Sequence, residues 1–182
     1  MWLIVLRWLV LVAAVLPWIY YLLGIYSARR FFLETHDASA EFTPPVSILK
    51  PVHRLDRDTY ENFASFCRQD YPQHEILFGV NEENDPAIPV IHKLMRDFPE
   101  RSIRLLIGSD ELGPNRKASK LSRMVREARY DLFVISDSDI RVDPAYLRAV
   151  VAPFGSPKVG AVTCLYLGLT DGRLGSDLEA VG

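Results

Sequence analysis

Residues 2–26 form an almost uninterrupted apolar run, and such a run has few places to go in an aqueous compartment. Of the first 27 residues only Arg7, Pro17, Gly24 and Ser27 are not apolar. At about 1.5 Å per residue, a helix over this run is long enough to cross a hydrocarbon core of about 30 Å. Trp2, Trp8, Trp18, Tyr20, Tyr21 and Tyr26 are amphipathic aromatics of the kind favoured at membrane interfaces, and the Arg7 stem can reach the headgroups. Pro17 is a candidate kink. A cleaved signal peptide is the competing reading, but the run exceeds the usual signal core and no A-x-A site precedes the polar sequence. A retained anchor over residues 1–27 is therefore expected. Arg29 and Arg30 follow directly, and by the positive-inside rule they place the downstream chain in the cytosol.

Arg7 is the one charged residue in that run, so nearly all of the 21 basic and 23 acidic residues belong to the remainder, as in an ordinary soluble domain. A net charge of −2 offers no broad positive field for a phosphate backbone, and nucleic acid is not expected as a partner. Cys67 and Cys164 lie far apart in apolar runs where a small hydrophobe would also serve, which favours a reducing compartment. His36, His53, His74 and His92 share no spacing with Cys, Asp or Glu that resembles a zinc site.

Residues 28–45 read as a juxtamembrane linker ending in Thr43-Pro44-Pro45, and the folded domain is expected over 46–182. Five β-rich runs follow: Val46 to Val52, Glu75 to Val80, Ile103 to Ile107, Leu132 to Ser136 and Val159 to Cys164. Helical spacing lies between them, in Tyr60, Phe63, Ala64 and Cys67, in Ile88, Ile91, Leu94 and Met95, and in Ala118, Leu121, Val125 and Ala128. Alternation of this kind predicts an α/β fold with a mostly parallel sheet covered by helices on both faces. Ligands of such sheets bind beyond the carboxyl ends of the strands. That rule selects the loops Lys50 to Asp56, Asn81 to Asp85, Gly108 to Lys117 and Asp137 to Asp143. None contains a G-x-G-x-x-G or a G-x-x-x-x-G-K-[ST] motif, which argues against a dinucleotide fingerprint and a P-loop.

The strongest local signal is LFVISDSD, a hydrophobic strand ending in Asp137 and Asp139. Two hard oxygen donors at a strand end can hold Mg2+ or Mn2+ and leave positions free for water and phosphate oxygens. Acidic residues also end strands in plain solvated turns. Asn81-Glu82-Glu83-Asn84-Asp85-Pro86 follows the second strand on the same sheet edge. Asp85 before Pro86 fits a helix cap, and it could equally meet a nucleotide's N–H or ribose hydroxyls. Asp143 before Pro144 reads as a cap alone. Gly113-Pro114-Asn115-Arg116-Lys117 opens a helix with two cations that oppose the macrodipole, an arrangement that suits a bound anion but also a basic surface. Arg141 is open between a third such cation and a surface charge.

The segments PPVSILKPV, QDYPQHEILFGVNEENDPAI, LGPNRKASKL and YDLFVISDSDIRV, in this order, resemble the GT-A glycosyltransferases of the ceramide glucosyltransferase type and their bacterial relatives associated with hopanoid lipid synthesis. The resemblance runs from about Pro44 to Cys164. It implies a UDP-sugar donor carrying glucose or N-acetylglucosamine, a lipid acceptor such as ceramide or a hopanoid, a Mn2+ or Mg2+ ion, and inversion at the anomeric carbon. By motif, Asp85 matches the first family aspartate on the nucleotide side. Asp137 matches the second, and Asp139 completes the metal-binding D-x-D. Asn115 and Lys117 match the N-x-K loop near the donor, and Lys50 and Pro51 end the first strand where the nucleobase would lie.

The family also uses a third aspartate as general base and a later Q/R-x-x-R-W segment, and neither is identifiable here: every tryptophan precedes residue 19. The chain is therefore expected to be the N-terminal part of a longer enzyme, with further membrane helices possible beyond it. Two other readings compete: a truncated, non-catalytic chain, and a D-x-D phosphohydrolase. The second is disfavoured because its motif belongs near the domain start and is followed two residues on by Thr or Val, where this chain has Arg141.

Overall fold

The computed structural model describes residues 1–33, 42–108 and 113–168. The chain divides into two units. The first is α1 (Trp2–Leu33), a helix whose apolar side chains are exposed on all sides and which is long and apolar enough to cross a membrane. Pro17 lies inside it. The helix continues through residues 28–33, which the sequence reading gave to the linker, and residues 34–41 of that linker lie outside the described residues.

The second unit runs β1 (Val46–Pro51), α2 (Thr59–Cys67), β2 (His74–Val80), α3 (Ala87–Asp97), β3 (Ser102–Ile107), α4 (Arg116–Glu127), β4 (Leu132–Ile135) and α5 (Tyr146–Val151). The strands form one parallel sheet in the order β3-β2-β1-β4, with Ile48 of β1 opposite Ile76 of β2 and Val134 of β4. All six residues of β1 are buried, which is why VSILKP lacks the alternation of a half-exposed strand. Val46 and Ile48, with Ile76, Phe78 and Val80 of β2, face Phe63 and Phe66 of α2 and Ile91 and Leu94 of α3. Leu49 and Leu77 face the other way, against Met124 of α4. The helices thus cover both faces, and each fully buried Leu, Ile or Phe contributes roughly 1.5–3 kcal/mol of hydrophobic stabilisation.

At the amino end of the sheet Glu75 is fully buried, accepting from the Ser47 hydroxyl at 2.7 Å and the Arg129 amide at 2.6 Å, with Arg104 at 3.5 Å. This carboxylate ties β1, β2, β3 and the α4–β4 connection together, so the structural acid and the candidate site occupy opposite ends of the sheet.

One expected element does not form. The run from Val159 to Cys164 has no strand partner among the described residues and is mostly exposed, as is Cys164 itself, because β propensity without a neighbouring edge builds no ladder. Among the described residues the sheet has four strands, and β4 is an edge with Ile135 exposed.

Gly79 in β2 leaves room for α4: a Cβ there would stand 2.7 Å from Met124 Sδ and 3.2 Å from two carbons of the Lys120 stem. Gly79→Ala is expected to push α4 off the sheet and to destabilise the unit by about 1–3 kcal/mol, read from urea unfolding.

Candidate functional site

The chain winds from β1 to β2 to β3 in one direction and then returns to place β4 on the other side of β1. This reversal separates the loops that follow β1 and β4 and leaves a crevice at the carboxyl ends of those strands. A cavity of about 400 Å3 opens there, within the usual range for small-molecule sites. Its walls are Pro51 at the end of β1, Val52, His53 and Asp56 after that strand, Asn81 after β2, Arg116, Lys117 and Lys120 on α4, and Asp137, Ser138 and Asp139 after β4. Three carboxylates and three cations therefore share one hollow.

Lys117 Nζ lies 2.5 Å from Asp137 Oδ1, with both side chains about half exposed. Ser138 Oγ donates to Asp56 Oδ2, which joins the loops after β4 and β1. Asn115 Oδ1 accepts from the Ala118 amide at 3.1 Å and caps α4, so the first turn of that helix, with Arg116 and Lys117, faces the cavity. Asn115 itself does not line it, and residues 109–112 of that loop lie outside the described residues. Lys120 is buried and donates to the Val52 carbonyl. Burial lowers its pKa, Asp85 opposes that shift, and Arg116 adds to it.

Asp85 is buried behind the wall and is not among the lining residues. Its Oδ1 accepts from the Ala87 amide at 2.9 Å, the cap of α3, and its Oδ2 accepts from the Arg54 amide at 3.1 Å. Arg54 is in the left-handed region at φ 65°, so Asp85 holds the β1–α2 loop in an uncommon backbone shape beside the cavity. Lys50 also lies beneath the wall. It is fully buried, with Nζ 2.8 Å from the Asp137 carbonyl and 3.2 Å from Ser136 Oγ. Pro51 does line the cavity. Arg141 turns away to Asn62 Oδ1 at 3.2 Å and Asp58 at 3.4 Å, a bond between loop and helix. Asp143 caps the turn into α5 through the Ala145 amide at 2.8 Å.

Several lining residues were not singled out from the sequence. His53, Asp56 and Asn81 sit in loops that the strand-end rule selects, but no motif distinguishes them there. Lys120 had a legible signal, since positions 116, 117 and 120 fall on one helical face. Asn81 is the most informative: its Oδ1 is buried and has no hydrogen-bond partner among the described residues. An acceptor left in that state costs about 1–3 kcal/mol, unless a donor completes it.

Among the described residues no three His, Cys, Asp or Glu side chains converge on a point that could hold a metal by protein atoms alone. The donor chemistry nonetheless fits a hard divalent cation. Mg2+ characteristically takes one or two carboxylates and fills its shell with water and substrate phosphates. Asp137 and Asp139 are two carboxylates on the wall of the cavity, and Arg116, Lys117 and Lys120 of α4 line the same cavity.

The sequence model of glycosyl transferase family 21 matches residues 9–182. The chain belongs to that family. Within it, the chain is 35% identical over 115 residues to ceramide glucosyltransferase 3 of Caenorhabditis elegans, covering 63% of this chain and 25% of the relative. It is 32% identical over 133 residues to the ceramide glucosyltransferase of Gibberella zeae, covering 68% and 25%. The chain thus spans about a quarter of the length of these relatives. The fold is similar to that of a mannosyltransferase from Pyrobaculum calidifontis solved in complex with GDP-Man and Mn2+, with a TM-score of 0.63 and 23% identity over 79% of this chain and 42% of that one. This family 21 chain accordingly has a GT-A-like architecture.

Asp85→Ala removes the α3 cap and releases the Arg54 amide. The expected loss is about 2 kcal/mol in chemical unfolding, since a cap alone is worth roughly 0.5–2 kcal/mol.

Proposed function

We propose that this chain is the donor-binding part of a membrane-anchored glycosyltransferase that transfers a hexose from a UDP-sugar to a lipid hydroxyl with inversion. The observation that carries the reading is the meeting of the D-x-D carboxylates with the α4 cations in one cavity at the reversal of the sheet. Glucose and ceramide are the favoured sugar and acceptor, because the relatives are named ceramide glucosyltransferases. N-acetylglucosamine and a hopanoid are the alternatives that the test below separates in part.

In this reading Asp137 and Asp139 hold a Mn2+ or Mg2+ ion, which when bound supplies charge neutralisation to the diphosphate and eases departure of UDP. Lys117, paired with Asp137, is placed to give its ammonium to a phosphate oxygen, and Arg116 with the first amides of α4 adds donors at the same edge. Asn81 Oδ1 offers its unused acceptor to a nucleobase N–H, with Pro51 forming the adjoining wall. Asp85 and Asn115 shape the site through the backbone they cap. Transfer also requires a carboxylate to take the acceptor's proton, and donor binding needs none. The apolar helix α1 anchors the chain in the membrane, where a lipid acceptor resides, with Arg29 and Arg30 on the cytosolic side.

Calorimetry of the full chain in nanodiscs with UDP-glucose, with Mn2+ or with EDTA, tests this. Expected are metal-dependent binding, weaker binding of UDP-N-acetylglucosamine, and a loss of at least about tenfold in Asp137→Ala, as for charge-assisted contacts worth about 1.5–3 kcal/mol. Equal binding with and without metal, or an unchanged Asp137→Ala, contradicts the donor site.

A further inference from the structure

Lys50 is the most unusual buried residue of the α/β unit. It stands at the carboxyl end of the central strand with no exposure, on the face shared with α2. Its Nζ lies 3.8 Å from the centre of the Phe66 ring and 5.9 Å from that of Phe63. A methionine or leucine would fill this space without the desolvation penalty of an ammonium, so packing alone does not explain a lysine.

What the ammonium touches does explain it. The β1–β4 ladder ends where the Ser136 amide donates to the Leu49 carbonyl at 3.1 Å. The next three residues carry the D-x-D and have no strand beside them. Lys50 reaches across from β1 just past this last ladder bond and donates to Ser136 Oγ at 3.2 Å and to the Asp137 carbonyl at 2.8 Å. The same carbonyl accepts from the Ile140 amide at 3.4 Å, closing the turn. With its carbonyl held from below, Asp137 presents its carboxylate to the cavity, and Asp139 follows on the same turn.

We propose that Lys50 is a positioning residue for the D-x-D: it clamps the Asp137 carbonyl and the Ser136 hydroxyl and thereby fixes the turn that presents Asp137 and Asp139 to a divalent cation, and it does not itself touch the donor. The inference rests on the donor-site reading above and deepens it.

The test uses the full chain in nanodiscs, with Mn2+ followed by electron paramagnetic resonance in the presence of UDP, and UDP binding followed separately in EDTA. Lys50→Met keeps the buried volume. It is expected to melt within a few degrees of the unaltered chain and to keep its metal-free UDP binding within about twofold. Its Mn2+ affinity should fall about 10–100-fold, the usual cost of losing a group that orients a metal ligand. A merely structural lysine would lower both kinds of binding together with the melting temperature, and that result overturns the proposal, as does Mn2+ binding within about twofold of the unaltered chain. If Lys50→Met does not fold, Ser136→Ala decides: a several-fold loss of Mn2+ affinity with metal-free binding kept supports the clamp, and unchanged Mn2+ affinity overturns it. Absence of metal-dependent UDP binding in the unaltered chain sinks the donor-site reading and the clamp together, whereas its presence there with no change in Lys50→Met sinks the clamp alone.

Discussion

The return of the chain from β3 to the far side of β1 determines where everything else lies. A parallel sheet delivers every strand-end loop to one edge, and the reversal of winding parts two of those loops and leaves a crevice between them. Because β1 is buried on both faces and paired on both edges, its polar groups are tolerated only with partners. Ser47 finds Glu75 at the amino end, and Lys50 finds the D-x-D backbone at the carboxyl end. The same strand therefore holds the sheet together at one end and supports the site at the other.

The charges around the cavity are poorly explained by stability. Lys117 and Asp137 form a half-exposed pair, and such pairs contribute about 0–1 kcal/mol. Two cations in the first turn of α4 oppose its dipole, a modest cost that an anion at the same helix end offsets. Lys120 is buried with a backbone carbonyl for its partner. Each feature is mildly unfavourable or neutral by itself, and the proposed donor site, with an anionic ligand and its cation, would account for all three.

The strands β1 to β4, the helices between them and the loops that carry the cavity were readable because hydrophobic period and strand-end chemistry are local signals. What the sequence missed or left open shares a cause: each point depended on what lies beside a residue in space. Val159 to Cys164 has the composition of a strand, but only a partner edge could have made it one. Asp85 reads equally well as a cap or as a ligand group, and both of its oxygens turn out to be taken by backbone amides, one of them from Arg54 across the loop. By the resemblance Lys50 ends the first strand where a nucleobase would lie, and only the packing of Phe66 and the proximity of Ser136 show its Nζ buried against the turn after β4. Asn81 opens the NEEND segment without being marked out within it, and its significance lies in an acceptor with no donor among the described residues.

Membership of glycosyltransferase family 21, a parallel sheet of GT-A-like form and a helix long and apolar enough to cross a membrane are the three findings that the proposed function joins. The central claim is that the diphosphate and its cation sit between the turn after β4 and the start of α4. Paramagnetic broadening of backbone amide resonances by Mn2+, recorded on the full chain with UDP-glucose present, tests it most directly. The account predicts broadening centred on residues 137–139 and 115–117 and absent around Glu75 at the opposite end of the sheet; broadening centred elsewhere, or none on either of those two segments, would contradict it.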